Sequence, residues 1–300
     1  MEPSERSSFH PFRSSAARER FLAKLEARER RWPVPYEARR VRTTWADTFV
    51  RACGVEGAPP LVLLHGASTS SVTWEANVGA WAPHFRVYAV DVPWDLGRSV
   101  YTRCPATPDD YVSWLDETLE ALGLAREVRV AGMSYGAWIT TLYALRHPDR
   151  LAKVVLLVPA LTVQPVRPLW VIFALMSGLN RMFSRCFARW TLGDAWKKGA
   201  RARQIVEELA DDGLTFGRDL VKRRPVLPTV VSDEAWRSLR VPALILVGEH
   251  EKHYSAARAV ERIRRVAPDV RIERVADAGH DLPLAQAERV NEVVLAFLRA

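Results

Sequence analysis

Near the middle of the chain, Gly132-Met133-Ser134-Tyr135-Gly136 sets a serine between glycines two positions away on either side. An apolar, strand-like run (VRVA) leads directly into this pentapeptide and an Ala-rich, helix-like run leaves it. The serine therefore falls on a sharp strand-to-helix turn, the setting that pushes a hydroxyl out as a nucleophile. Small residues at both flanks avoid steric conflict in such a turn, and its strained backbone holds Oγ in a fixed direction. The helix that follows aims its positive end at charge developing beside the serine.

A serine hydroxyl is a weak nucleophile until a base takes its proton. Of the seven histidines, His280 has the best setting, in Ala278-Gly279-His280-Asp281, a tight loop between a strand-like run and the final helix. His147 ends the helix after the serine and reads as a structural residue, and His10 and His84 have no supporting context. The base needs an acid to fix its tautomer and to stabilise the imidazolium. Two carboxylates, Glu249 and Glu251, follow the apolar run ALILVG, whereas the loop after the run 151–160 (VPALTVQ) has none. Two backbone N–H groups must hold the oxyanion of a tetrahedral intermediate. Tyr135, next after the serine, supplies one, and the loop His65-Gly66-Ala67-Ser68 supplies the other through Ala67. His65 is then a structural hydrogen-bonding residue.

Parallel β-structure would bring these loops together. The continuously apolar runs 61–66, 87–92, 128–134, 151–160 and 243–248, with 271–275, alternate with helical patterns at 108–122, 136–146, 255–266 and 285–299. That alternation predicts a mostly parallel, doubly wound sheet covered on both faces. Residues 161–239 break it: they contain helical stretches and no strand pattern, and read as an all-helical cap inserted after the sixth core strand. The expected organisation is an N-terminal basic helical arm over 1–41, a core over 42–160 and 240–300, and the cap over 161–239. The apolar stripe 168–190 is expected to pack on the core while presenting an apolar face to the site, and its basic residues permit contact with lipid surfaces.

The 300 residues are 48% hydrophobic with 26% charged and 11 Trp, a globular composition able to bury a large core. The net charge of +8 concentrates between Arg13 and Arg42, where ten Lys/Arg face four Glu, an excess of six. No nucleic-acid recognition motif accompanies it, so the arm is read as a solvated helix face with no nucleic-acid partner. Apolar runs are too short to span a bilayer, and MEPSERSSFHPFRSS has no export-type apolar stretch. Cys53, Cys104 and Cys186 form neither a disulfide framework nor a zinc pattern. A reducing cytoplasm, no metal, no cofactor and no stable membrane insertion are expected.

With LVLLHGAS, DVPWDLGRS (91–99), AGMSYG, LVGEHE and AGHD in place, the chain resembles the α/β-hydrolase superfamily over residues 42–300, and within it the cap-bearing carboxylesterase-like members. The resemblance implies the order nucleophile, acid, histidine, and it favours Glu251 over Glu249, at a position usually held by Asp. It argues against epoxide hydrolases and dehalogenases, which carry Asp at the elbow. The function it implies is cleavage of carboxylic esters through an acyl-enzyme on Ser134; the apolar face of 168–190 adds the expectation of small to medium hydrophobic substrates, with Ser68, Trp94, Trp170 and Phe173 at the substrate. Trp94 stands where relatives commonly have Gly. The alternatives are a non-turnover ligand-binding protein of the same fold, and a Ser-dependent acyltransferase, lactonase or C–C bond hydrolase.

Overall fold

The computed structural model describes residues 10–221 and 226–300. The strands are β1 (Tyr36–Arg42), β2 (Ala46–Gly54), β3 (Pro60–Leu64), β4 (Arg86–Val90), the two-residue β5 (Val100–Tyr101), β6 (Val128–Met133), β7 (Leu151–Leu157), β8 (Ala243–Gly248) and β9 (Arg271–Val275). Among the described residues they form one sheet in the order β1-β2-β4-β3-β6-β7-β8-β9, with β5 paired to β2. The β1/β2 and β2/β4 pairs are antiparallel, and every pair from β4/β3 to β8/β9 is parallel.

The helices are α1 (Ser15–Glu29), α2 (Val78–Trp81), α3 (Pro108–Ala121), α4 (Tyr135–Arg146), α5 (Pro168–Ser177), α6 (Arg181–Thr191), α7 (Gly193–Trp196), α8 (Ala200–Asp219), α9 (Asp233–Arg237), α10 (Ala256–Val266), α11 (Leu282–Ala285) and α12 (Ala287–Arg299). Both sheet faces are covered because side chains alternate along each strand. Val62, Leu64, Ile245 and Val247 join the cluster holding Trp114, Trp138 and Ile263 of α3, α4 and α10. Leu61, Leu63, Leu244 and Leu246 join the opposite cluster with Trp81, Val290 and Val294 of α2 and α12. Each layer lacks an exposed apolar sheet face because the strands are apolar at consecutive positions.

The described residues between β7 and β8 contain α5 to α9 and no strand. The run 168–183 is two helices rather than one continuous pattern. Gly178 follows the last turn of α5, and Asn180 begins α6 by accepting the Phe183 amide at 3.0 Å. The expectation that α5 packs on the core is corrected: none of its residues is buried, and Leu169, Ile172 and Leu175 are 54%, 53% and 74% exposed. None of the described helices is long and apolar enough to cross a membrane.

The N-terminal segment also differs from its reading as a solvated arm. Strand β1 begins at Tyr36, inside the expected arm, and pairs along its length with β2. Its charged residues disguise it, since an edge strand with one open side tolerates them. Helix α1 is clamped between the sheet and the helical segment. Arg28 is buried against Asp212 of α8, Arg31 binds Glu208 at 2.6 Å, and Glu29 binds both Arg51 of β2 and Arg98. Phe12, Phe21 and Leu25 pack with Val72, Leu96 and Leu220, and the Arg13 amide donates to the Asp219 carbonyl at 2.8 Å. Much of the arm's basic charge is thus engaged by carboxylates of the same chain. Residues 1–9 of the arm lie outside the described residues.

Candidate active site

Parallel register brings the carboxyl ends of β3, β6, β7 and β8 level: Leu64 lies opposite Gly132, Met133 opposite Leu157 and Leu157 opposite Leu246. Ser134 therefore leaves the sheet at its centre. Its backbone sits at φ 51°, ψ −109°, in a region that L-residues avoid, and its amide is held by the Leu157 carbonyl at 2.9 Å. Gly136 permits the turn because a Cβ there would run into the Leu64 carbonyl and lie 2.7 Å from the His65 carbonyl oxygen.

The loops after β8 and β9 meet over Gly248, where a side chain would collide with the Ala278 and Gly279 carbonyls. The His250 amide donates to the Ala278 carbonyl at 2.8 Å and the Glu249 amide to Val275 at 2.9 Å, locking the two loops together. This brings His280 Nε2 to 2.9 Å from Ser134 Oγ and His280 Nδ1 to 2.8 Å from Glu251 Oε2. Ser134 is half-buried, whereas His280 and Glu251 are buried. Glu249 points elsewhere, exposed and paired with Arg274 at 3.5 Å, so of the two glutamates it is Glu251 whose carboxylate bonds His280.

Glu251 Oε1 accepts two further bonds, from the backbone N and ring Nδ1 of His253, both at 2.8 Å. Burial alone would raise the Glu251 carboxyl, but the His280 and His253 rings outweigh it and hold it well below the usual carboxylate range. His253 stacks on His280 with ring centroids 3.6 Å apart, and burial pushes it down to about 4, so it is neutral at pH 7. Sequence reasoning passed over His253; the signal available was a second histidine two residues after Glu251. Ligand-type atoms of Glu251, His253 and His280 lie within 4.8 Å of one another, close enough to hold a metal ion. Their mutual hydrogen bonds already account for that proximity.

Oxyanion donors can be traced from the peptide planes. The Gly66 carbonyl is held by His65 Nδ1 at 2.8 Å and by the Thr69 hydroxyl at 2.9 Å, while His65 Nε2 accepts the Val92 amide at 2.9 Å. Burial pushes His65 below its ordinary value, which keeps it neutral with its proton on Nδ1. Fixing the Gly66 oxygen fixes the opposite end of the same peptide, the Ala67 N–H. Neither that N–H nor the Tyr135 N–H has a partner among the described residues. Ser68 adopts φ 62°, with its amide on buried Asp95 at 2.9 Å.

The four expected substrate residues separate. Ser68 lies beside Ala67 in this loop. Trp170 of α5 reaches the site, its ring 4.3 Å from that of His253. Trp94 belongs to an aromatic cluster that continues through Tyr111 to Tyr135, the residue after Ser134. It is half-buried, packed edge-on among Trp45, Tyr111 and Trp114, and its indole N–H donates to the Arg103 carbonyl at 2.8 Å. Phe173 is exposed and meets Trp190 edge-on within the helical segment.

Residues 61–293 match the family described as the alpha/beta hydrolase family. The carboxylesterase YbfK of Bacillus subtilis is 34% identical over 271 residues, which cover 89% of each chain. The crystal structure of naproxen esterase (carboxylesterase NP) from Bacillus subtilis superposes with a TM-score of 0.88 at 32% identity, covering 95% of this chain and 99% of that one. A meta-cleavage product hydrolase from Pseudomonas fluorescens, 19% identical with a TM-score of 0.69, shares the fold.

Proposed function

Because this chain belongs to the alpha/beta hydrolase family, we propose that it is a serine-dependent carboxylic ester hydrolase working through Ser134, His280 and Glu251. The observation that carries the reading is the unbroken run from Ser134 Oγ through His280 to Glu251 Oε2, at 2.9 and 2.8 Å, at the carboxyl edge of a parallel sheet. Similarity over nearly the whole chain to the carboxylesterase YbfK supports the substrate class.

In the proposed reaction His280 Nε2 takes the Ser134 proton as Oγ bonds to the ester carbonyl carbon. Glu251 stabilises the resulting imidazolium. The Ala67 and Tyr135 amides hold the oxyanion, whose negative charge also faces the N-terminus of α4. Collapse breaks the bond to the alcohol oxygen, which leaves with the proton from His280. Water then gives a proton to His280 and attacks the acyl carbon; collapse returns that proton to Ser134 and frees the acid. Nothing in this cycle calls for a cofactor.

Small to medium hydrophobic esters suit the site because Trp170 brings an aromatic face to it from a helix rich in apolar side chains. The complete relay disfavours a binding protein without turnover. A reducing, cytoplasmic setting belongs to the same proposal and is supported by the unpaired thiols of Cys53, Cys104 and Cys186. Hydrolysis of p-nitrophenyl esters from acetate to decanoate tests the activity. Turnover that rises to a medium acyl chain supports the proposal, and no turnover across the series, or turnover kept by Ser134→Ala, overturns it.

A further inference from the structure

We infer that His253 is a positioning residue for this reaction: it fixes the carboxylate of Glu251 in line with His280 and ties that carboxylate to α5. The inference rests on the proposed roles of Ser134, His280 and Glu251, and adds a fourth side chain to them.

A glutamate carries one more rotatable bond than an aspartate, so its carboxylate needs more restraint to face a single partner. His253 supplies it. The backbone N and Nδ1 of His253 both donate to Oε1 at 2.8 Å, which leaves Oε2 for His280 Nδ1 at 2.8 Å. Every one of these donors is buried, so the bonds are not exchanged for water. The spacing also serves: Glu251 and His253 are two residues apart, and the carboxylate closes a short turn onto the His253 amide.

Stacking sets a second requirement. The His253 and His280 rings lie 3.6 Å apart at 30°, too close for two imidazolium charges without repulsion. His280 must take a proton in each turnover, and His253, held neutral by burial, leaves it free to do so. A neutral His253 donating from Nδ1 also strengthens the anionic form of Glu251.

The third set of contacts leads to the helical segment. The Arg167 amide donates to the His253 carbonyl at 2.6 Å, and the Trp170 ring lies 4.3 Å from the His253 ring. The start of α5 thus rests on the residue that orients the acid, which links the substrate-side helix to the hydrogen bond at His280 Nδ1.

The test uses the full chain and p-nitrophenyl butyrate. His253→Leu and His253→Phe remove the Nδ1 donor, Phe keeping the ring stack, while His253→Asn keeps an N–H at the Nδ1 position. Loss of a hydrogen bond to a charged group predicts a fall of about 10- to 100-fold in kcat for Leu and Phe, with KM changed less than about threefold. Asn should recover most of that loss. With Glu251→Ala already present, adding His253→Leu should cost less than about threefold, because His253 would have no acid left to position. Circular dichroism and the thermal midpoint confirm that each variant is folded, and Phe carries the comparison if Leu is not. Near-wild-type kcat in both Leu and Phe, no recovery in Asn, or an undiminished effect without Glu251 overturns the inference while leaving Ser134 in its role. Turnover kept by Ser134→Ala would instead remove the underlying reading.

Discussion

Glu251→Asp looks conservative, yet the structure predicts a slower enzyme. One methylene is lost, and the carboxylate withdraws by about 1.5 Å. Glu251 Oε2 stands 2.8 Å from His280 Nδ1 while Oε1 stands 2.8 Å from two donors of His253. Both sides cannot be kept after such a retreat, since about 4.3 Å exceeds any direct hydrogen bond. A bond to a charged group contributes about 1.5–3 kcal/mol, so kcat/KM should fall about 10- to 100-fold. A ceiling of about 10⁴-fold applies, the cost of leaving the histidine wholly without its acid. Initial rates on p-nitrophenyl butyrate, with the thermal midpoint as a folding control, measure it. An Asp variant as fast as wild type would refute the reasoning, for it would mean that the acid is not held at the length of a glutamate.

Three other perturbations have definite outcomes. Gly136→Ala drives a Cβ into the Leu64 and His65 carbonyls, so soluble yield and the urea midpoint should collapse; a stable, active variant contradicts the packing of the elbow. Arg28→Ala leaves the buried Asp212 carboxylate without its partner and should cost about 3–5 kcal/mol in chemical denaturation, with much of it returned by Arg28→Met combined with Asp212→Leu. A loss under about 0.5 kcal/mol would show the arm to be merely solvated. Asp95 is pushed up to about 8 by burial, against the pull of the Leu96 and Ser68 amides. A carboxyl whose folded pKa is raised contributes stability that is full below about pH 4 and lost as pH rises through about 8. Asp95→Asn should therefore gain on wild type in denaturation midpoint between about pH 5 and about pH 9, whereas a difference flat with pH contradicts the shift.

Residues whose role is decided locally were the most legible. VRVAGMS runs into a helix within a few positions, so the turn at Ser134 could be read before any tertiary contact was known. The strands ALILVG and RIERV have the bounds that their apolar pattern suggests, and AGHD sits in a short loop between regular elements. Contacts between distant segments were illegible. YEARRVR conceals β1 because charges are tolerated on an edge, and the basic excess of α1 gave no hint that Asp212 and Glu208, some 180 residues away, would meet it. Residue type alone does not say which way an aromatic faces: Trp94 packs among other rings, while Trp170 approaches the site from α5. The grip of His253 on Glu251 is local in sequence, but its stacking on His280 depends on two loops meeting over Gly248.

The most direct test of the central claim is to treat the full chain with a fluorophosphonate and locate the adduct by mass spectrometry. One equivalent on Ser134, formed as ester turnover disappears and absent from Ser134→Ala, is the predicted result. An adduct on another residue, or equal labelling and hydrolysis by Ser134→Ala, would contradict the account.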